Sequence, residues 1–469
     1  MARTRTSSNL ELLVILDRDR PHALHHQLEQ ALREAIRDGR LPATTALPST
    51  RALAAQLAVS RGIVVEAYAQ LTAEGYLAST PGGATRVARN ATVTEVHRPS
   101  LPSPTVDYDF RPGRPDVAEF PRAAWLRSLR RVLTDAPSER LTYLNGHGIP
   151  ELRVALATYL NRARGACADP ADVVICTGFA QGLALTARAM HAAGARRIAV
   201  EDPSDPEYRT TLAQAGLDSV GVAVDELGLR VDLLDGLDVD GVVITAAHQY
   251  PTGAVLPPER RAALVDWAVR RGALIIEDDY DAEFRYDREP IGAIQGLNRD
   301  NVLYAGTASK MLAPGLRLGW LVSPPHMTDR LIEAKHAADM GSAALDQLAF
   351  ADILERGELD HHLRRMRVIY RGRRDTLLAA LARHLPDVRP VGAAAGLHVL
   401  AWLPDDVDEA AVIAGAQASG IAIGSLATRR IAPGPGGLIF GYGVIAEPAI
   451  EPGIARLAGI VAANRGKAA

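Results

Sequence analysis

Residues 301–320, NVLYAGTASKMLAPGLRLGW, carry the strongest signal of how the larger part of this chain folds. An apolar run, Asn301–Ala305, ends in Gly306-Thr307-Ala308-Ser309-Lys310, and Pro314-Gly315-Leu316-Arg317-Leu318-Gly319 follows. A short apolar run that stops at small and hydroxyl residues reads as a buried strand whose end opens onto a site. The lysine stands out further because the 469-residue chain has only three, Lys310, Lys335 and Lys467. Chemistry that needs a lysine amine has few places to happen.

Four earlier runs have the same form. Asp172–Cys176 leads into Thr177-Gly178-Phe179-Ala180-Gln181 and an apolar helix, while Arg197–Val200 ends in Glu201-Asp202-Pro203. Gly241–Ala246 ends in HQYPTG (248–253), and Ala273–Ile276 ends in EDDYDAEF (277–284). Short apolar strands alternating with helical segments predict an α/β fold with a mostly parallel sheet, whose ligands sit at the carboxyl ends of the strands.

Those ends carry the donor set of one cofactor, pyridoxal 5′-phosphate (PLP). PLP needs an amine for a Schiff base, a carboxylate to keep the pyridine nitrogen protonated, a hydroxyl near the phenolic oxygen, and a phosphate cup. Lys310 supplies the amine and Asp278 the carboxylate. Tyr280, two residues on along an extended chain, shares the face of Asp278 and can reach the phenolic oxygen. Thr307, Ser309, Arg317 and the N–H groups of Gly178, Phe179 and Ala180, at the start of a helix, can make the cup. Asp278, Asp279 and Asp281 could instead ligate a metal, but no matching His or Cys cluster accompanies them, and no metal is assigned. His248 reads as an orienting or structural residue rather than a general base. Met340 and Met366 read as core.

The N-terminal part has a different texture. Leu24, Leu28, Leu32 and Ile36 recur at four-residue spacing and predict an amphipathic helix over His22–Asp38, ended by Gly39. Ser49 and Thr50 can cap a short helix from Arg51 to about Leu57. Ser60 can cap a third, Arg61–Glu74, with Val64, Val65, Tyr68 and Leu71 inward. Tyr76–Val87 reads as a hairpin turning at Pro81-Gly82-Gly83. Helix, helix, turn, helix and hairpin make a winged helix-turn-helix. The arginines then have roles: Arg61 at the start of the third helix faces base edges, Arg51 at the start of the second grips phosphate, and Gly83, Thr85 and Arg86 form the wing.

Residues 1–90 carry 11 arginines against 8 acidic residues, whereas the whole chain has a net charge of −3. That mild asymmetry permits a nucleic-acid partner at the N-terminus. The polar, proline-bearing segment 89–108 reads as a semi-extended linker. Domains are therefore expected at 1–88 and 109–467, joined by that linker. The balance of 48% hydrophobic and 23% charged residues, two cysteines, and the lack of a signal peptide or membrane-length apolar run predict a soluble cytoplasmic protein with no membrane partner.

Two resemblances carry these expectations further. LPSTRALA (47–54), VSRGIVVEAYAQLTAEGYL (59–77) and GGATRV (82–87) resemble the GntR family of winged-helix DNA-binding domains. HQYPTG, EDDYDAEF and GTASKMLAPGLRLGW resemble fold type I aminotransferases, over nearly all of 109–467. The pairing resembles the MocR subgroup of GntR regulators, in which the aminotransferase-like domain serves as a sensor. The resemblance implies a mixed, mostly parallel sheet flanked by helices with a smaller C-terminal α+β subdomain. It also implies a homodimer in which Tyr143, in YLNGHGIPELR (143–153), reaches the phosphate of the partner subunit.

Two positions depart from the enzymes. The aromatic residue that stacks on the cofactor ring corresponds to Asp205, with Tyr208 as a substitute. Pro435 occupies the slot of the arginine that binds a substrate α-carboxylate, and Arg429 and Arg430 lie nearby to compensate. These departures favour a sensor of PLP, or of a small amine or amino acid that condenses with it, acting on an operator in double-stranded DNA. The alternative is a working aminotransferase with an appended DNA-binding domain.

Overall fold

The structure, a computed structural model, describes residues 16–17, 23–79, 83–89, 106–286, 291–392 and 394–466. The chain divides into two compact units, Met1–Ser103 and Pro104–Ala469. Most of the expected linker, residues 90–105, and two residues of the expected wing turn, Pro81 and Gly82, lie outside the described residues.

In the first unit, helices α1 (Leu24–Arg37), α2 (Thr50–Gln56) and α3 (Arg61–Ala73) precede a short antiparallel pair, β1 (Leu77–Ala78) and β2 (Arg86–Val87). Leu28, Leu32 and Ile36 of α1 bury the stripe their spacing dictates, against Leu53 of α2 and Val64, Ala67, Tyr68 and Leu71 of α3. Val65 departs from expectation. It is 44% exposed, because the inward face of α3 steps from Val64 to Ala67 and Tyr68 at three- and four-residue intervals, and Val65 lies about 100° round the helix. Leu24 is likewise only half-buried, at the first turn.

The two caps differ as well. Ser49 accepts the Ala52 N–H at 3.2 Å, whereas Ser60 stands at the N-cap of α3 without a side-chain hydrogen bond. Removing the one cap that is made, Ser49→Ala, costs about 1 kcal/mol of helix stability. We expect amide hydrogen exchange in α2 of the full chain to rise about fivefold, with α3 unaffected by Ser60→Ala.

The second unit contains two sheets. Strand β3 (Tyr108–Phe110) is followed by β4 (Val173–Cys176), β5 (Arg197–Asp202), β6 (Asp218–Asp225), β7 (Gly228–Leu229), β8 (Gly241–Ile244), β9 (Leu274–Asp279), β10 (Val302–Thr307) and β11 (Gly319–Val322). Then come β12 (Arg389–Val391), β13 (His398–Trp402), β14 (Ile421–Ser425) and β15 (Gly437–Gly441). The large sheet has the order β4-β11-β10-β9-β8-β5-β6-β7. Strands β10, β9, β8, β5 and β6 pair in parallel, and β11 is antiparallel to both β10 and β4. Hence β4 points the same way as β10, and the five strands read from the sequence deliver their carboxyl ends to one edge. Their residues are buried on both faces of the sheet, which is why they appear as unbroken apolar runs rather than alternating ones.

The smaller sheet has the order β12-β13-β15-β14-β3, so the first strand of the unit pairs with residues more than 300 positions later, Tyr108 opposite Ile421. Helices Glu358–His384 and Glu447–Ala463 are among those covering it. Met366 is buried in that core, but Met340 is 48% exposed. It ends the helix Thr328–Asp339 in a left-handed conformation at φ 60°, so its side chain leaves the packed face. Among the described residues no helix is long and apolar enough to cross a membrane.

Candidate functional site

Lys310 lies just beyond β10, in the short helix Ala308–Met311, and lines a cavity of about 330 Å³ at the carboxyl edge of the sheet. Gly178, Phe179, Ala180, Asp278, Tyr280, Thr307, Ser309 and Arg317 line the same cavity. Residues from β4, β9 and β10 ends, separated by more than 130 positions, are thus brought together. Tyr143 is not among them. It is 88% exposed on the surface of the protomer.

The Lys310 ammonium donates to the Gly113 carbonyl at 2.6 Å. Burial pushes its pKa down, while Asp278, Asp281 and Asp205 pull the other way. A lysine attacks a carbonyl only as the free amine, so burial prepares it for that reaction. Asp278 is 6% exposed, and its carboxyl is pushed up to about 8, chiefly by burial. One of its oxygens, Oδ2, accepts the Tyr208 hydroxyl at 2.6 Å, and the other, Oδ1, is buried without a partner. An unpartnered buried carboxylate oxygen is costly, and its position on the cavity calls for a donor from a ligand.

The neighbouring acid does different work. Asp279 points to the opposite face of β9, where Arg164 donates to it at 2.7 Å and Tyr304 at 2.8 Å, all three buried. It belongs to the core.

The cup takes shape at the start of the helix Phe179–Ala192. Gly178 precedes it at φ 106°, a conformation that L side chains rarely adopt, and the Arg317 guanidinium lies 3.6 Å from where its Cβ would stand. A helix amino terminus, a guanidinium and the hydroxyls of Thr307 and Ser309, which are 2.9 Å apart, together favour a phosphate. The unpaired Asp278 oxygen, the depressed lysine and this cradle fit the three poles of PLP. When bound, that group supplies an aldehyde for the lysine and an electron sink for chemistry on amines.

The sequence reading named Tyr208 and the two candidate arginines but left two features of their placement open. Tyr208 lies on the first turn of the helix Pro206–Gln214, with its hydroxyl on Asp278 and its ring 5.4 Å from that of Phe179, edge to face. Asp205, in the expected ring-stacking slot, caps this helix by accepting the Glu207 N–H at 3.1 Å and lines the cavity beside it. The other feature concerns the two candidate arginines. Arg429 lines the Lys310 cavity, over the Tyr250 ring at 5.6 Å and 3.6 Å from Asp205. Arg430 turns away over Trp402 and, with Pro435, lines a separate cavity of about 750 Å³. The structure also gathers His248, Asp281 and His398, a cluster the sequence reading did not see beside the acidic run.

In the first unit Arg51, Ser60, Arg61, Gly83 and Arg86 are exposed and Thr85 is half-buried. Arg61 Nε donates to Thr50 Oγ1 at 3.3 Å, tying the starts of α2 and α3, and Arg86 donates to the Thr44 carbonyl at 3.0 Å.

Comparison with known proteins defines the class. Residues 24–87 match the family of bacterial regulatory proteins of the gntR type, and residues 113–432 match aminotransferase class I and II. The protein is thus a GntR-type winged helix-turn-helix joined to a fold type I aminotransferase-like domain. It is 32% identical to the HTH-type pyridoxine biosynthesis transcriptional regulator PdxR of Corynebacterium glutamicum, over 92% of this chain and 95% of that one. It is also 32% identical to the probable rhizopine catabolism regulatory protein MocR of Rhizobium meliloti, over 94% of each. Among solved structures, the multiple substrate aminotransferase of Thermococcus profundus superposes with a TM-score of 0.71 at 27% identity, over 77% of this chain and 92% of that one. The chain belongs to the MocR-type GntR transcriptional regulators.

Proposed function

We propose that this regulator holds PLP on Lys310 and changes its grip on an operator when that site is filled or when an amine or amino acid enters it. The observation that carries this reading is the buried, unpartnered Oδ1 of Asp278 on the wall of the cavity that also holds Lys310. Asp278 would face the pyridine nitrogen, Tyr280 the phenolic oxygen, and Gly178, Phe179, Ala180, Thr307, Ser309 and Arg317 the phosphate. Tyr208 keeps Asp278 in place through its hydroxyl. Tyr143, so exposed in one protomer, would complete the phosphate site of a partner subunit in a homodimer. Residues 1–88 would read DNA, with Arg61 at base edges, Arg51 and the α2 and α3 amino termini on phosphates, and Gly83, Thr85 and Arg86 in the wing. The segment 89–108 would connect this head to the sensor of residues 109–467, in the cytoplasm.

Replacing Asp278 removes the one acidic partner the pyridine nitrogen would have. Asp278→Ala should weaken PLP retention about tenfold or more, the equivalent of a charge-assisted hydrogen bond of ~1.5–3 kcal/mol. Equilibrium dialysis of the full chain against PLP checks this, and unchanged retention contradicts the role.

Arg429 favours a second reading, an active aminotransferase. Its guanidinium reaches the cavity that Pro435 does not, and could bind a carboxylate there. The two readings separate in paired assays: amino-group transfer to a keto acid, and binding to DNA upstream of the chain's own gene with and without PLP. A DNA affinity that responds to PLP, without sustained turnover, supports the sensor. Sustained turnover with a DNA affinity indifferent to PLP overturns it.

A further inference from the structure

Behind Tyr280 lies a set of polar groups that the cofactor reading does not use. The Tyr280 hydroxyl is 3.1 Å from both Nδ1 and the backbone carbonyl of His248. The same Nδ1 lies 3.1–3.2 Å from both carboxylate oxygens of Asp281. His248 and Asp281 are 2% and 1% exposed. The fit is tight enough that Gly396, at φ 77°, could carry no Cβ. It would stand 2.1 Å from the imidazole and 2.5 Å from Asp281 Oδ2. The Gly396 carbonyl is itself fixed by the hydroxyls of Tyr286 and Tyr442, each at 2.7 Å.

We propose that Asp281 and His248 are positioning residues for Tyr280: they order its hydroxyl hydrogen so that it can be given to the phenolic oxygen of the cofactor. The inference rests on the cofactor reading above. The proton count leads to it. An ionised carboxylate only accepts, so Asp281 requires a His248 proton on Nδ1, whatever is carried by Nε2, which lies 3.4 Å from the Gly392 carbonyl. Nδ1, carrying a proton, cannot accept from Tyr280, and its N–H instead points at both the carboxylate and the Tyr280 oxygen. Among the described residues, the tyrosine hydrogen is then left with the His248 carbonyl as its acceptor. A phenolate in the cavity offers a better, charged acceptor, and the hydroxyl can turn to it without breaking its contact with Nδ1. Burial, with Asp281 and Tyr250 adding to it, holds the Tyr280 pKa well above the usual range, so the hydrogen is present to be donated. Without Asp281, Nδ1 is free to be the acceptor, and the tyrosine hydrogen is captured by the histidine. His398, packed 4.9 Å from His248, is pushed down to about 3, chiefly by burial, and stays neutral.

The test reads the pH midpoint of the absorbance of the lysine-bound cofactor in the full chain. A donor at the phenolic oxygen competes with the imine proton for that oxygen, so losing the donor raises the midpoint. Asp281 also acts as a plain negative charge near Lys310, beside Asp278 and Asp205; Glu207, Tyr208, Tyr250, Arg317 and Arg429 line the same cavity, and the neutral His398 packs behind it on His248. Losing that charge lowers the midpoint. Asp281→Asn removes the charge but keeps an acceptor for Nδ1–H, whereas Asp281→Ala removes both.

We expect the Ala variant to titrate about one pH unit above the Asn variant, and the two to coincide once Tyr280→Phe is present. Coincidence of the two with Tyr280 intact overturns the positioning role, as does a gap that persists in the phenylalanine background. A wild-type chain with no such absorbance at all overturns the cofactor reading instead.

Discussion

Lys310→Ala should abolish the near-visible absorbance of the PLP-treated chain and, with it, any effect of PLP on DNA affinity. The expectation is all-or-none because the chain has only two other lysines. Lys335 is buried in another helix and bound to Asp339 by hydrogen bonds of 2.6 and 2.7 Å. Lys467 lies outside the described residues. The substitution truncates a side chain beside an existing cavity and removes one hydrogen bond, to Gly113, so the fold should survive it. Phosphate-dependent, non-covalent binding should persist weakly, since Arg317 and the helix amino terminus at Gly178 are untouched. Absorbance spectra and PLP-dependent gel shifts on one preparation check both halves. A band that survives the substitution contradicts the assignment of the amine.

The second large effect concerns the other unit. Arg61→Ala should cost roughly 1–3 kcal/mol in binding to the specific operator, about 5- to 150-fold, with little loss on unrelated DNA. Arg61 begins α3, is exposed, and is oriented by its contact with Thr50 at the start of α2. A guanidinium held in this way can meet a guanine edge through two hydrogen bonds, and its loss is felt only where that guanine is present. Arg51→Ala provides the contrast. A phosphate contact carries no sequence information, so its removal should weaken specific and unrelated DNA alike and reduce the salt dependence by about one counterion. Equal losses on both DNAs for Arg61→Ala would assign it to the backbone instead.

Much of this architecture could be read from residues because the physics that forms it is local. Strands covered on both faces show as apolar runs, and the residues after β4, β9 and β10 must sit at one edge once the strands run parallel. The stripe of Leu28, Leu32 and Ile36 needs only the helical period, and Ser49 only the three-residue reach of a cap. What escaped depends on partners far away in sequence. Tyr208 reaches Asp278 because one helix packs across the ends of other strands. The grouping of His248 and Asp281 with His398 requires the smaller sheet to fold back over the larger. The pairing of β3 with β14 and the division of labour between Arg429 and Arg430 have the same origin. Val65 and Met340 were misread for a different reason: an apolar side chain near a helical stripe or a helix end gives no sign of the 100° rotation or the left-handed turn that exposes it.

Borohydride reduction of the PLP-treated full chain, followed by peptide mass mapping, shows which amine holds the cofactor. One pyridoxyl adduct per chain is expected, on the peptide that contains Lys310. An adduct on Lys335 or Lys467, or none at all, would contradict it.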